Sequence, residues 1–225
     1  MHILERILAR RVERRGGELD YFGLREWWLS AFSQAEREHI EAVFTTPDLP
    51  AGSKPLTRDR GLLAVQTAAG LLAVLADRLG ERSQDRGLAC RVLAKAEERA
   101  LAEHDILGLH VAYHQMIRLH CRWKEYFADA MDLAFAACHK QMRLASKAVQ
   151  AFREKCPEQP LPTHLGYLQA ATILEQQGAY AQAIEICRQA EAEGWGGNWS
   201  WRIQRLARRL SSSVKPISSS GLGRI

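Results

Sequence analysis

The chain has 225 residues, of which 47% are hydrophobic and 25% are charged, and its formal net charge at pH 7 is +5. This length is enough to bury a full core, and the seven prolines and the scarcity of alternating β-branched residues predict an all-α fold. The five cysteines are scattered without close pairs, which argues against a disulfide scaffold and for reduced thiols in the cytoplasm.

The chain begins with a predicted basic helix that ends at Gly16–Gly17. Its apolar face consists of Ile3, Ile7, Leu8 and Val12. Because this helix is amphipathic and rich in arginine and glutamate, it does not resemble a signal peptide.

Two further helices are predicted before the first break in the chain. One runs from Leu24 to Phe32 and contains two adjacent tryptophans. Ser33 and Glu36 form a capping-box signature, which predicts that the next helix covers Gln34 to Phe44. The segment Thr45 to Thr57 is rich in proline and glycine and marks a domain boundary. We assign residues 1–56 to an N-terminal helical extension that packs on the domain after it.

The most apolar helix is predicted from Leu62 to Leu79, with Gly80 as its cap. Its longest apolar run is interrupted by Gln66 and Thr67 and is shorter than the roughly 20 residues of a membrane span. We therefore expect a cytoplasmic protein with no membrane partner. A second helix follows over residues 86–101 and completes one hairpin.

A second hairpin is predicted from Asp105 to Met142, and a third and clearer one from Pro160 to Trp195. The third hairpin turns at Gly178, and small and aromatic residues recur at helical spacing on both of its helices. These residues are Tyr167, Ala170, Ala171 and Leu174 before the turn, and Tyr180, Ala183, Ile184, Cys187 and Ala190 after it. Small side chains let two helices approach closely, as in hairpins that stack on their neighbours.

On these residues the segment 162–195 resembles a tetratricopeptide repeat. It departs from that pattern at Cys187, where an aromatic residue is commoner, and at Trp195, near the usual closing proline. The resemblance implies a right-handed α-solenoid that binds peptides on a concave face formed mainly by the first helix of each pair. Solenoids need about three repeats, so we expect about three hairpins over residues 57–210, a capping C-terminal helix and a disordered tail over 211–225.

The capping helix is predicted to begin after Asn198. It is expected to turn Trp201, Ile203, Leu206 and Leu210 inward and Arg202, Arg205, Arg208 and Arg209 outward. The chain also resembles uncharacterised bacterial repeat proteins that pair a tryptophan-rich start (DYFGLREWWLS) with such a hairpin. That likeness implies no particular activity.

A peptide-binding groove is predicted by treating Tyr113 and Tyr167 as equivalent positions, with about one inserted residue near Trp123–Asp129. The groove-facing residues are then His114, Arg118, Arg122, Leu168, Thr172, Glu175 and Gln176. Arg118 and Arg122 could grip a carboxylate, so we expect a non-enzymatic adaptor or regulatory protein whose protein or peptide ligand has an acidic element. The alternative is that these side chains form an ordinary solvated helix face. The sequence is also compatible with a homo-oligomer.

Two other functions are weighed against the adaptor. Arginines cluster in the first fifteen residues and again near residue 205, which favours a nucleic-acid-associated protein as the runner-up. The first cluster consists of Arg6, Arg10, Arg11, Arg14 and Arg15. A metal-dependent enzyme built on His110 and His114 is a distant third, because no glutamate stands between them and no third ligand is indicated. No nucleotide-binding or serine-hydrolase motif occurs, so we expect no catalytic residue, metal or cofactor.

Overall fold

The computed structural model describes residues 16–45, 52–59 and 66–213, and this part of the chain is all-helical with no β-strand. It contains eleven α-helices, so the predicted all-α class is confirmed. None of the described helices is both long and apolar enough to cross a membrane. The chain divides into two compact units, one up to Gln115 and one from Met116. The helix predicted around Ile3 to Val12 lies outside the described residues, and so do the arginines clustered there.

The first unit begins with three short helices: α1 (Glu18–Tyr21), α2 (Arg25–Ala31) and α3 (Gln34–Phe44). The predicted capping box starts α3. The Ser33 hydroxyl accepts a hydrogen bond from the Glu36 backbone N–H, and the Glu36 carboxylate accepts one from the Ser33 N–H at 2.7 Å. Both bonds satisfy backbone groups that the first turn of a helix leaves unpaired.

Residues 52–59 lie against the start of α1 and against α3. The Glu18 and Leu19 N–H groups donate to the carbonyls of Pro55 and Leu56 at 3.0 Å each. The buried carboxylate of Glu41 on α3 accepts from the Leu56 N–H, also at 3.0 Å. A Cβ at Gly17 would lie closer than 3.0 Å to the Leu56 and Thr57 backbone, so only glycine permits this approach.

Helices α4 (Ala68–Leu79) and α5 (Arg86–Ala102) form the predicted hairpin of the first unit and pack against each other. The predicted start of α4 at Leu62 is wrong, because Thr67 is extended and its hydroxyl accepts a hydrogen bond from the Gly70 N–H at 3.1 Å. This N-cap sets the helix start at Ala68.

Arginine side chains cap the short helices of the first unit. The last carbonyls of a helix have no partner within it, and here guanidinium groups from other elements supply one. Arg91 donates to the Ala31 carbonyl at 2.8 Å, and Arg99 donates to the Phe22 carbonyl at 3.3 Å. Arg37 donates to two carbonyls at the same end of α2, those of Leu29 and Phe32.

Helix α6 (Ile106–Arg122) contains the division between the two units, and α7 (Ala130–Arg143) and α8 (Ala145–Lys155) follow it. Helix α8 was not predicted. It lies between the second and the third predicted hairpins, so these hairpins do not follow one another directly. The spacing of the predicted repeats is therefore irregular at this point.

Helices α9 (Leu165–Gln176) and α10 (Tyr180–Ala192) form the predicted third hairpin, and α11 (Trp199–Ser213) packs on α10. Gly178 makes the turn with φ 75°, a left-handed conformation that favours glycine. Helix α9 also packs on α7. The small residues expected at the helix contacts, Ala170, Ala171, Ala183, Cys187 and Ala190, are all fully buried. None of the five cysteines forms a disulfide.

Candidate peptide-binding surface

Helix α9 buries one side in the second unit and leaves the opposite side for polar contacts. The side chain of His164 caps the helix by accepting a hydrogen bond from the Tyr167 N–H at 3.3 Å. The four α9 residues predicted to face a groove share the opposite side. Leu168, Thr172 and Glu175 are half-buried, and Gln176 is exposed.

Arginines of α11 contact this side of α9. Arg202 donates to the Thr172 hydroxyl at 3.3 Å. Arg205 and Arg209 both pair with the Glu175 carboxylate, Arg209 at 3.1 Å from Oε1 and Arg205 through Oε2. The Glu175 side chain is only 10% exposed, and a carboxylate this far buried requires paired charge.

These contacts correct the prediction for α11. Arg202 and Arg205 are half-buried and bonded to α9, so they do not form an outward-facing polar side. Arg208 and Arg209 are exposed as predicted, although Arg209 also pairs with Glu175.

The predicted inward position of Trp201 is also wrong, because this side chain is 60% exposed. Trp199 is buried instead and donates its indole N–H to the Trp195 carbonyl at 2.8 Å. Side chains two positions apart on a helix point in directions about 200° apart, so only one of these tryptophans can face α10. The Trp201 ring lies 5.1 Å from the guanidinium carbon of Arg205, within the range of a cation–π contact.

Together these side chains form what we call the α9–α11 surface: Leu168, Thr172, Glu175, Gln176, Trp201, Arg202, Arg205, Arg208 and Arg209. The α9–α11 surface contains four guanidinium groups and one carboxylate, so the net charge of the surface is positive. Buried behind it, Cys187 has a pKa raised to about 11 by burial, so its thiol stays neutral near pH 7. The surface therefore combines excess positive charge with an exposed aromatic ring.

The groove predicted from the sequence did not include Trp201 or the arginines of α11, which lie beside the predicted groove residues of α9. A signal was present, because Trp201, Arg205 and Arg208 follow one another at helical spacing and must share a face. The remaining predicted groove residues lie on α6. His114 and Arg118 are half-buried there and Arg122 is exposed. That they join the same groove stays a prediction.

The chain has no match among protein-family models, curated proteins or solved structures. Its site is therefore interpreted from its own geometry and charge. Among the described residues, no three histidine, cysteine, aspartate or glutamate side chains are grouped so that they could hold a metal ion.

His110 titrates far from the ordinary range for histidine. It is 5% exposed, and burial, with a smaller contribution from the charge of His114, lowers its pKa to about 4. The unfolded chain therefore binds a proton more readily than the folded protein at pH values between 6.5 and about 4. Stability should fall as the pH drops through this window, by on the order of 3 kcal/mol in total.

Urea denaturation at a series of pH values tests this expectation. A His110→Gln variant should lose most of the pH dependence between pH 6.5 and 4, whereas His139→Gln, at an exposed position, should retain it. The same pH dependence in His110→Gln as in the unmodified protein would contradict the assignment.

Proposed function

We propose that this protein is a non-enzymatic adaptor or regulatory protein that binds an acidic peptide segment of another protein on the α9–α11 surface. The observation that carries the proposal is the excess of guanidinium groups over carboxylates beside an exposed tryptophan. Arginine binds carboxylates through paired hydrogen bonds, and an exposed aromatic ring supplies apolar contact area. Binding by this surface makes and breaks no covalent bond.

We further propose that the second unit is part of a right-handed solenoid related to the tetratricopeptide repeat, and the contacts between its helices agree with this proposal. Helix α9 packs on α7 and α10, and α11 packs on α10, so these helices contact near neighbours in the chain. Tyr167, fully buried in α9, occupies the aromatic position expected for a repeat. Helix α8 is a departure from a regular array and would be an insertion between two hairpins.

Fluorescence anisotropy with a labelled peptide of alternating glutamate and leucine tests the proposal. We expect saturable binding, and a matched peptide with glutamine in place of each glutamate should bind at least about tenfold more weakly, because hydrogen bonds to charged groups contribute about 1.5–3 kcal/mol. Arg208→Glu should weaken binding to a similar degree. Arg208 is exposed and has no ion-pair partner within the described residues, so this variant should fold normally.

Arg143→Glu is the matched control, because it makes the same charge change at an exposed position on α7. Equal binding of the two peptides, or equal loss in both variants, would contradict the proposal. Replacing Arg118 and Arg122 together by glutamate tests the α6 part of the groove. We expect loss of capture with unchanged helicity, and unchanged capture would exclude α6 from the binding surface.

The second candidate function is binding of nucleic acid by the arginine-rich ends, since the exposed arginines of α11 could also contact phosphates. Single-stranded DNA tested in the same assay should compete poorly with the acidic peptide. Tight DNA binding that weakens steeply between low and moderate salt would favour this alternative.

A further inference from the structure

A cleft with a volume of about 360 Å³ lies in the first unit, between helices α1 to α3 and residues 52–59. This volume falls in the range of small-molecule sites, roughly 300–1,000 Å³. The cleft belongs to a different unit from the α9–α11 surface, so this site goes beyond the proposed peptide binding.

Four cationic side chains line the cleft, and they differ in how they are held. Arg25 pairs with Asp20 at 2.9 Å, and Arg37 is fixed by the carbonyls at the end of α2. Lys54 and Arg58 are exposed and form no ion pair within the described residues. Arg25 and Arg37, held by other groups, and the exposed Lys54 and Arg58 thus all line the same small cleft.

A buried acid also lines the cleft. Glu41 is 8% exposed; its Oε1 accepts from the Leu56 N–H at 3.0 Å, and the Thr57 side chain also hydrogen-bonds this carboxylate. Burial raises the pKa of this carboxyl. Asp20 and Glu38 are the other acids of the lining, so four cations face three acids in the cleft.

The rest of the lining includes apolar side chains. Leu19 and Trp28 are buried, and Leu29 is 53% exposed. Sites for organic ligands typically combine such apolar walls with a few placed charges. A simple inorganic anion would leave the apolar wall without a contact.

We propose that this cleft binds a small organic anion, whose carboxylate or phosphate group is held by Lys54 and Arg58 and whose apolar body contacts Leu29. The guanidinium group of Arg37 adds to the positive potential around the head group, whereas that of Arg25 is neutralised by Asp20.

Isothermal titration calorimetry with the full chain tests this site, using 2-naphthoate and 2-naphthyl phosphate as anionic probes and 2-naphthylmethanol as the neutral one. We expect saturable binding of one anion per chain, and the stronger of the two anions identifies the head group. Lys54→Gln and Arg58→Gln should each weaken binding about tenfold or more, as expected for a lost charged hydrogen bond. Arg78→Gln, at an exposed position on α4 in the same unit, should leave the affinity unchanged.

Circular dichroism should show the same thermal unfolding for the three variants, because none of the replaced side chains is buried. Three results would overturn the proposal. They are absence of saturable binding by both anions, equal affinity for the neutral probe, and unchanged affinity in both Lys54→Gln and Arg58→Gln.

Discussion

Replacing Gly17 with alanine is expected to destabilise the first unit by about 3 kcal/mol, at the upper end of the usual range for overpacking. The added Cβ would lie closer than 3.0 Å to backbone atoms of Leu56 and Thr57, which cannot move aside as a flexible side-chain end could. The chain must then separate at this point. That would break the hydrogen bonds from Glu18 and Leu19 to the carbonyls of residues 55 and 56.

Urea denaturation followed by circular dichroism measures this effect. Gly87→Ala is the matched control, because Gly87 lies in helix α5 and a Cβ there would meet nothing within 4 Å. Alanine is the better helix former, so this control should raise stability by about 0.5–1 kcal/mol. Equal midpoints for Gly17→Ala and the unmodified protein would show that residues 52–59 do not lie against α1 as described.

The second large effect is expected for Trp195→Ala, which should cost the second unit about 3–5 kcal/mol. Trp195 is 3% exposed, and its ring centroid lies 4.6 Å from that of His164 and 5.9 Å from that of Phe152. Its indole N–H donates to Glu193 at 2.9 Å. Alanine would leave a cavity and would leave these contacts unmade.

Trp201→Ala is the control for Trp195→Ala, because it makes the same substitution at an exposed tryptophan six residues later. Its effect on stability should stay within about 0.5 kcal/mol, while its affinity for the acidic peptide should fall. The pair therefore separates the structural role of Trp195 from the binding role of Trp201. Similar losses of stability in the two variants would contradict the opposite burial of these tryptophans.

Local signals in the sequence were sufficient for most helix boundaries. Ser33 with Glu36 located the start of α3, and Gly178 located the turn between α9 and α10, because a cap or a turn depends on a few adjacent residues. The start of α4 was misplaced because the apolar run from Leu62 hid the cap at Thr67.

Features that depend on distant residues were not predictable in the same way. Trp201 was predicted to face inward on α11, whereas Trp199 is the buried tryptophan and its indole N–H bonds the Trp195 carbonyl. Helix α8 was missed although its sequence is amphipathic, with Ala145, Ala148 and Val149 on the buried side, because it has no counterpart in the expected pairs of helices. On the candidate site, the spacing of Thr172 and Glu175 indicated a shared face, but not that arginines of α11 contact it.

The arginine caps of the first unit show that net charge alone does not describe what the arginines of this protein contribute to its stability. Arg37, Arg91 and Arg99 bond helix-end carbonyls, and Arg205 and Arg209 pair with one carboxylate, so these five arginines hold elements together. Lysine at these positions would preserve the isoelectric point but could not reproduce the planar, multiple-donor geometry of the guanidinium group. Two homologues of identical charge could therefore differ widely in stability, and arginine content at these sites, more than net charge, would distinguish them.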